Sequence, residues 1–363
     1  MDELHGYGRL PVLGICGRRG SGKTTLLEAL IPRLCERGLS VAVLKRAGCA
    51  LDVDRPGKDS DRLFRAGATV AVSGPTELFG RRAAERAGIR RILDELLSNH
   101  DLVFVEGHHR SISLRKLWLC TPGETAPPPE LPDVVATLPW EGDRLEAASR
   151  ILDQWLSRAW ASIPIVGGVL VGGGSRRMGA RKQLLVHDGA AWTERIVAAL
   201  GRRASPVVAL GSGELPPALA GLPRLADPPG LEGPIAGIVG ALRWCPDHAW
   251  IVAACDHPFV SAEAVDWLLA QRAPGIWGVM PRQPDGVVNP LFGVYEPQAR
   301  SLLDHPEGEA LAGPGAVAAH PRVATPEPPP ALAQAWVNVN TPEDLRRLGL
   351  TNAAAPADGS DPA

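Results

Sequence analysis

The sequence predicts an α/β protein of two domains, each a twisted, mostly parallel sheet with helices on its faces. Three observations carry this expectation. An apolar run, a glycine-rich turn and a helix-patterned stretch succeed one another between residues 10 and 34, and the same succession restarts at residue 165. Strand-like apolar runs alternate with helical stretches in both halves, the pattern of parallel sheets. The chain has 363 residues, and at about 150 residues per domain that length holds two compact units with connecting or terminal segments.

In order along the chain, Leu10 to Cys16 is the first strand, and Leu26, Leu27, Leu30 and Leu34 repeat with helical spacing behind it. Further strands are expected at residues 39–44, 101–105 and 133–138, a basic amphipathic stretch at 81–97, and a closing helix at 144–160. A Pro-rich excursion occupies 121–132, but the domain boundary is placed after the helix, at 160–164, giving domains of 1–160 and 165–350. In the second domain strands are expected at 165–171, 206–210, 250–254 and 275–280, with helices at 192–200 and 262–271. Near the end, Asn340-Thr-Pro-Glu-Asp reads as a strand end followed by a helix cap with Pro in the first turn. The Ala/Asp/Pro-rich residues 351–363 are expected to be disordered.

Composition excludes several classes of function. Lys and Arg total 38 against 40 Asp and Glu, a formal net charge of −2, which disfavours a nucleic-acid-coating or membrane-surface role. The six cysteines, at 16, 35, 49, 120, 245 and 255, show neither a C-x-x-C pair nor a regular spacing, so reduced thiols fit better than a disulfide framework or a zinc ribbon. No run has the length of a membrane span and no secretory signal pattern opens the chain, so a cytoplasmic location is expected.

The first glycine-rich turn fits a phosphate-binding P-loop: Gly17, Gly20, Ser21, Gly22, Lys23, Thr24 and Thr25 follow a strand and open a helix. Backbone N–H groups there wrap phosphates, Lys23 reaches their oxygens, and the Thr24 hydroxyl is placed to ligate Mg²⁺. A second carboxylate for that ion is expected at a neighbouring strand end, with Glu106 the candidate and Asp52 and Asp54 the alternatives. His108 and His109 lack a third ligand and read as surface residues. In the second turn, "GVLVGGGSRRMGARKQLL", Gly172, Gly173 and Gly174 let backbone approach a nucleotide, while Arg177 and Lys182 neutralise triphosphate oxygens. Asp256 ends an apolar strand, where α/β sheets present catalytic or metal-binding groups, and would hold Mg²⁺. Asp227, ahead of "GLEGPIAG", is either a second carboxylate by the nucleotide or a turn acid beside Pro228.

The segments "GICGRRGSGKTTLLEALIPRL", "DVDRPGKDS" and "DLVFVEG" together resemble the P-loop accessory (B) family of molybdopterin-guanine dinucleotide biosynthesis, over about residues 9–158. Members usually carry histidines after the second-strand lysine and a lysine after the Glu-Gly pair; this chain has Lys45-Arg46 and His108-His109 instead. The motifs "GGGSRRMGARKQLL", "AACDHPFV", "GPIAG", "NPLFGVY" and "NVNTPEDL" resemble the molybdenum cofactor guanylyltransferase (A) family over roughly 165–350, with Arg181 where an acid usually precedes the loop lysine. The resemblance implies a P-loop NTPase-type sheet fused to a Rossmann-like nucleotidyltransferase sheet. It also implies that Leu170, Val171, Gly172 and Gly173 frame guanine and ribose, that Lys182 meets phosphate, that Asp227 helps recognise the nucleotide and that Asp256 binds Mg²⁺. GTP and the molybdenum cofactor (molybdopterin) would be the substrates, with Arg177, Lys182 and Asp256 catalytic. Molybdenum insertion proteins, molybdoenzyme chaperones or a second copy of the chain would be partners. A cytidylyltransferase using CTP starts its loop Ala-Ala-Gly, whereas Val171-Gly172-Gly173 follows the guanylyl pattern. A GTP-gated cofactor carrier, with transfer impaired by Arg181, is the other alternative.

Overall fold

The computed structural model describes residues 10–45, 55–73, 75, 78–81, 88–107, 114–172, 181–304 and 313–350. The chain divides into two compact units, Met1–Leu156 and Ser157–Ala363. The C-terminal residues 351–363 and the stretches 46–54, 108–113 and 173–180 lie outside the described residues, and with them Asp52, Asp54, His108, His109, Gly173, Gly174 and Arg177.

In unit 1 the elements are β1 (Val12–Gly17), α1 (Lys23–Glu36), β2 (Val41–Lys45), α2 (Asp59–Arg65), β3 (Val70–Ser73), β4 (Leu78–Arg81), α3 (Ile89–Leu97), β5 (Leu102–Glu106), β6 (Lys116–Leu119), β7 (Val134–Leu138) and α4 (Arg144–Ala161). The main sheet has the order β2-β5-β1-β6-β7 with every neighbouring pair parallel, and β3 and β4 form a separate antiparallel pair. From β1 the chain goes to one side through β2 and β5 and to the other through β6 and β7. Ligands in such sheets bind outside the carboxyl end of the strand where the order reverses, here β1. α1 buries Leu26, Leu27, Leu30 and Leu34, the residues whose spacing predicted it.

Unit 2 contains β8 (Ile165–Leu170), β9 (Val186–His187), β10 (Ala190–Ala191), α5 (Trp192–Gly201), β11 (Val207–Leu210), β12 (Arg224–Leu225), α6 (Pro234–Trp244), β13 (Ala249–Ala254), α7 (Ala262–Ala270), β14 (Gly278–Val279), β15 (Phe292–Tyr295), α8 (Arg300–Leu303), β16 (Val323–Ala324) and α9 (Pro342–Arg347). Its main sheet is mixed, in the order β12-β11-β8-β13-β15-β14-β16, with β15 antiparallel to β13 and β14. Side chains of β13 alternate between two cores, as a strand covered on both faces requires. Ile251 and Ala253 pack with Ile196 of α5 and Val265 of α7, while Trp250 and Val252 pack with Ile238 and Leu242 of α6.

Several elements depart from expectation. The strand at 275–280 shortens to Gly278–Val279, because Ile276 N donates to Ala273 O and closes a turn over its first half. The stretch at 81–97 is helical only over Ile89–Leu97 among the described residues. Residues 337–340 form no strand; Val339 instead docks its N–H on Asp256 O at 3.0 Å. β6, the β3–β4 pair, α6 and β15 were not anticipated. Lys116 opens β6 with a polar residue, and Gly237 and Gly240 hide the helical character of α6.

Candidate functional site

In unit 1 the P-loop leaves β1 and enters α1 through Gly22, whose φ of 81° lies in the left-handed region open to glycine. Lys23 folds over the loop, its Nζ donating to Gly17 O at 3.0 Å and Arg18 O at 2.8 Å. Ser21 is buried beneath the loop, while Thr24 and Thr25 are exposed in the first turn of α1. Parallel pairing sets Glu106 of β5 level with Ile15 of β1 on one side and Lys45 of β2 on the other. The three ends meet: Thr24 Oγ1 donates to Glu106 Oε1 at 3.3 Å, and Lys45 Nζ lies 3.3 Å from both Thr24 Oγ1 and Glu106 Oε2. Lys45 neutralises a carboxylate that is otherwise nearly buried. Of the sequence candidates Glu106 reaches Thr24; Lys45, named only as a landmark of the resemblance, was given no role, and its signal is a strand that ends on lysine level with Glu106.

In unit 2, Leu170 of β8 is level with Ala254 of β13, so Val171-Gly172 and Cys255-Asp256 emerge side by side. Leu170 and Val171 turn their side chains into the two cores, and their main chain is engaged: Val171 N donates to Leu210 O, and Cys255 N to Leu170 O. The turn after β11 packs on this strand end. Gly213 N donates to Val171 O at 2.9 Å, and a Cβ on Gly213 would lie 2.8 Å from Val171 C, too close for any other residue. Arg224, unremarked in the sequence, holds that turn by donating to Gly211 O and Gly213 O, both at 2.8 Å. Asp227 is exposed in the turn after β12, with its carboxylate toward Gly211. Arg181, just before the Lys182 turn, ion-pairs with the exposed Glu214 in the loop after β11.

Lys182 is presented by a short turn that Thr193, at the start of α5, fixes by donating from Oγ1 to Gln183 O at 2.6 Å. Its Nζ donates to Asn340 Oδ1 at 2.6 Å and lies 3.6 Å from Asp256 Oδ2. Asn340 in turn stands at the cap of α9: Asn340 N and Thr341 N both donate to Asp344 Oδ2 at 3.0 Å, and Asp344 N donates to Thr341 Oγ1 at 3.1 Å. That is the cap with Pro342 in the first turn that the sequence suggested, and it delivers a residue, Asn340, to which no role had been given.

Behind Asp256, His257 is fully buried. Its Nε2 accepts from Asn289 Nδ2 at 2.9 Å, which assigns the ring proton to Nδ1. Nδ1 donates to Ala254 O at 3.3 Å and lies 3.1 Å from Asp256 Oδ1, an oxygen that is buried without an aligned donor among the described residues. Burial raises the Asp256 carboxyl, but His257 and Lys182 outweigh it and hold the group below its ordinary value, so it is ionised at neutral pH. Burial likewise pushes the neighbouring Cys255 thiol up to about 12, which makes it a packing residue.

A P-loop after β1 in one sheet, and Gly172, Lys182 and Asp256 by the β8 and β13 ends of another, define a P-loop unit joined to a nucleotidyltransferase unit. The family described as molybdopterin guanine dinucleotide synthesis protein B matches residues 12–138, and the MobA-like NTP transferase domain matches residues 167–322. The chain belongs to both families, the first through its N-terminal unit and the second through its C-terminal unit. It is 36% identical to the molybdopterin-guanine dinucleotide biosynthesis adapter protein of Haemophilus influenzae over 145 residues, 38% of this chain and 80% of that one. It is 33% identical to the molybdenum cofactor guanylyltransferase of Rhodobacter capsulatus over 189 residues, 50% of this chain and 94% of that one. A molybdenum cofactor biosynthesis bifunctional protein of Synechocystis is 30% identical over 188 residues, 51% of this chain and 54% of that one. No helix of the described residues is long and apolar enough to cross a membrane.

Proposed function

We propose that unit 2 transfers GMP from GTP to the molybdenum cofactor and that unit 1 is an accessory domain that binds GTP in its P-loop. The convergence of Lys182, Asp256 and Asn340, drawn from three distant parts of the chain to the carboxyl ends of the central strands β8 and β13, is the observation that carries the reading. In the reaction the terminal phosphate oxygen of molybdopterin attacks the α-phosphorus of GTP, a new P–O bond forms, and the bond to the β-phosphate breaks to release pyrophosphate. Such a transfer needs positioning and charge neutralisation more than a protein nucleophile. Lys182 and Arg177 orient and neutralise the phosphates, Gly172 and Gly173 let the nucleotide approach the backbone after β8, and Asp227 stands at the nucleotide's flank.

The Asp256 carboxylate suits Mg²⁺: it is a hard, ionised donor whose buried Oδ1 has only the His257 ring nitrogen, 3.1 Å away, and no aligned hydrogen bond among the described residues. Bound there, Mg²⁺ would supply neutralisation of charge on the phosphates. In unit 1 Thr24 and Glu106 are the corresponding pair. Glu214 gives Arg181 a carboxylate partner, which supports transfer over the impaired-carrier alternative.

Incubating the intact chain with molybdenum-loaded molybdopterin and either Mg·GTP or Mg·CTP tests the reading. It expects a guanine dinucleotide product by mass together with pyrophosphate. A preference for CTP would overturn the nucleotide assignment, and no product with either would overturn the transferase reading.

A further inference from the structure

Unit 1 carries one solvent-facing aromatic side chain beside its P-loop that the phosphate chemistry does not use. Trp140 follows β7 and is 43% exposed, the one large aromatic among the described residues of this unit left so open. Its indole is backed by the Arg144 guanidinium, 4.9 Å from the ring centroid. Arg144 is itself held by carbonyls of the P-loop and of two adjacent strand ends: NH1 donates to Ser21 O at 2.8 Å, Nε to Pro139 O after β7 at 2.5 Å, and NH2 to Cys120 O after β6. The loop after β6 is tied in as well, because Arg18 donates to Glu124 at 3.1 Å and Glu124 accepts from Thr121 N at 2.9 Å. The indole therefore stands in a fixed place relative to the loop that would hold the phosphates.

The sheet says which way a bound nucleotide runs. Thr24, Glu106 and Lys45 meet on the β5 and β2 side of β1; on the proposed reading they would serve the metal and terminal phosphates, which places the nucleoside end on the opposite side, where β6 and β7 end. We propose that Trp140 is the stacking platform for the purine base of the nucleotide held by the P-loop, with Arg144 locking ring and loop into one rigid unit. The inference rests on the P-loop unit binding a nucleoside triphosphate. Stacking on an indole is available to every base and strongest for the larger purines, and it is strengthened by a cation behind the ring.

The test measures binding of GTP and of inorganic tripolyphosphate to the intact chain, taking at each step the part that Lys23→Ala removes. Trp140→Ala is expected to weaken that GTP binding about 5- to 100-fold, the range of a lost base–aromatic stack, and to leave tripolyphosphate binding unchanged. Trp140→Phe should restore most of the GTP affinity. Equal losses for GTP and tripolyphosphate would show that Trp140 only supports the loop, and unchanged GTP binding would show that the base lies elsewhere; either overturns the proposal. If Lys23→Ala removes no binding of either probe, it is the nucleotide-binding reading of the P-loop that fails.

Discussion

The two candidate phosphate sites are built by opposite constructions. The P-loop of unit 1 is local: eight consecutive residues, from Gly17 to Thr24, wrap one another, and Lys23 is held by carbonyls five and six residues away. The site in unit 2 is assembled at long range, with Lys182 meeting a partner 158 residues on and Asp256 supplied by a third element. A local loop survives changes elsewhere in its sheet, whereas an assembled site depends on every element that delivers a residue to it. Substitutions far from the phosphates should therefore hurt unit 2 more than unit 1.

The largest effect that sharpens this contrast is expected from Asp256→Asn. Loss of the partly buried anion should lower transfer at least about 10²- to 10³-fold, as removal of a key electrostatic group does, while Lys23-dependent GTP binding stays intact. Steady-state pyrophosphate release and equilibrium GTP binding on the same preparation read the two sites separately. Lys182→Ala should follow with a loss of about 10²-fold in kcat/KM. Thr341→Ala removes the cap of α9 and costs about 1 kcal/mol of stability, visible in thermal unfolding. It should also lower transfer by releasing Asn340 from its place beside Lys182, even though Thr341 contacts no substrate. Equal transfer by Thr341→Ala and the parent chain would break the contrast.

The acid response follows from the depressed Asp256 carboxyl. A group whose folded pKa lies below its unfolded value contributes stability that is present above the unfolded value and is lost as pH falls through the folded one. Unit 2 should lose stability in that acid window, and Asp256→Asn should flatten the loss there. The smallest effect is chemical. At pH 8, Cys35 is exposed and should alkylate, whereas Cys16, pushed up to about 11, and Cys255, pushed up to about 12, should resist until the protein unfolds.

The same contrast explains what could be read before the structure. The P-loop was legible because its chemistry is written in one unbroken motif between a strand and a helix, and Glu106 because it ends an apolar strand. Lys45 and Arg144 were not, since their roles depend on which strand ends lie next to β1, an order that the sequence does not state. In unit 2 Asp256 and Lys182 were legible from strand end and glycine turn. Asn340, Arg224 and the pairing of Arg181 with Glu214 required the fold, because each meets its partner across loops rather than along a helix or strand. The cap at Thr341 was visible, but its purpose in delivering Asn340 was not.

The most direct test of the division between the two units is one set of assays with molybdenum-loaded molybdopterin and Mg·GTP, with product identified by mass. Parent chain and Lys23→Ala should both form the guanine dinucleotide and release pyrophosphate, and Asp256→Asn should form it at least about 10²-fold more slowly. Transfer by Asp256→Asn at the parent rate, or its loss in a folded Lys23→Ala chain, would contradict the assignment of transfer to unit 2 alone.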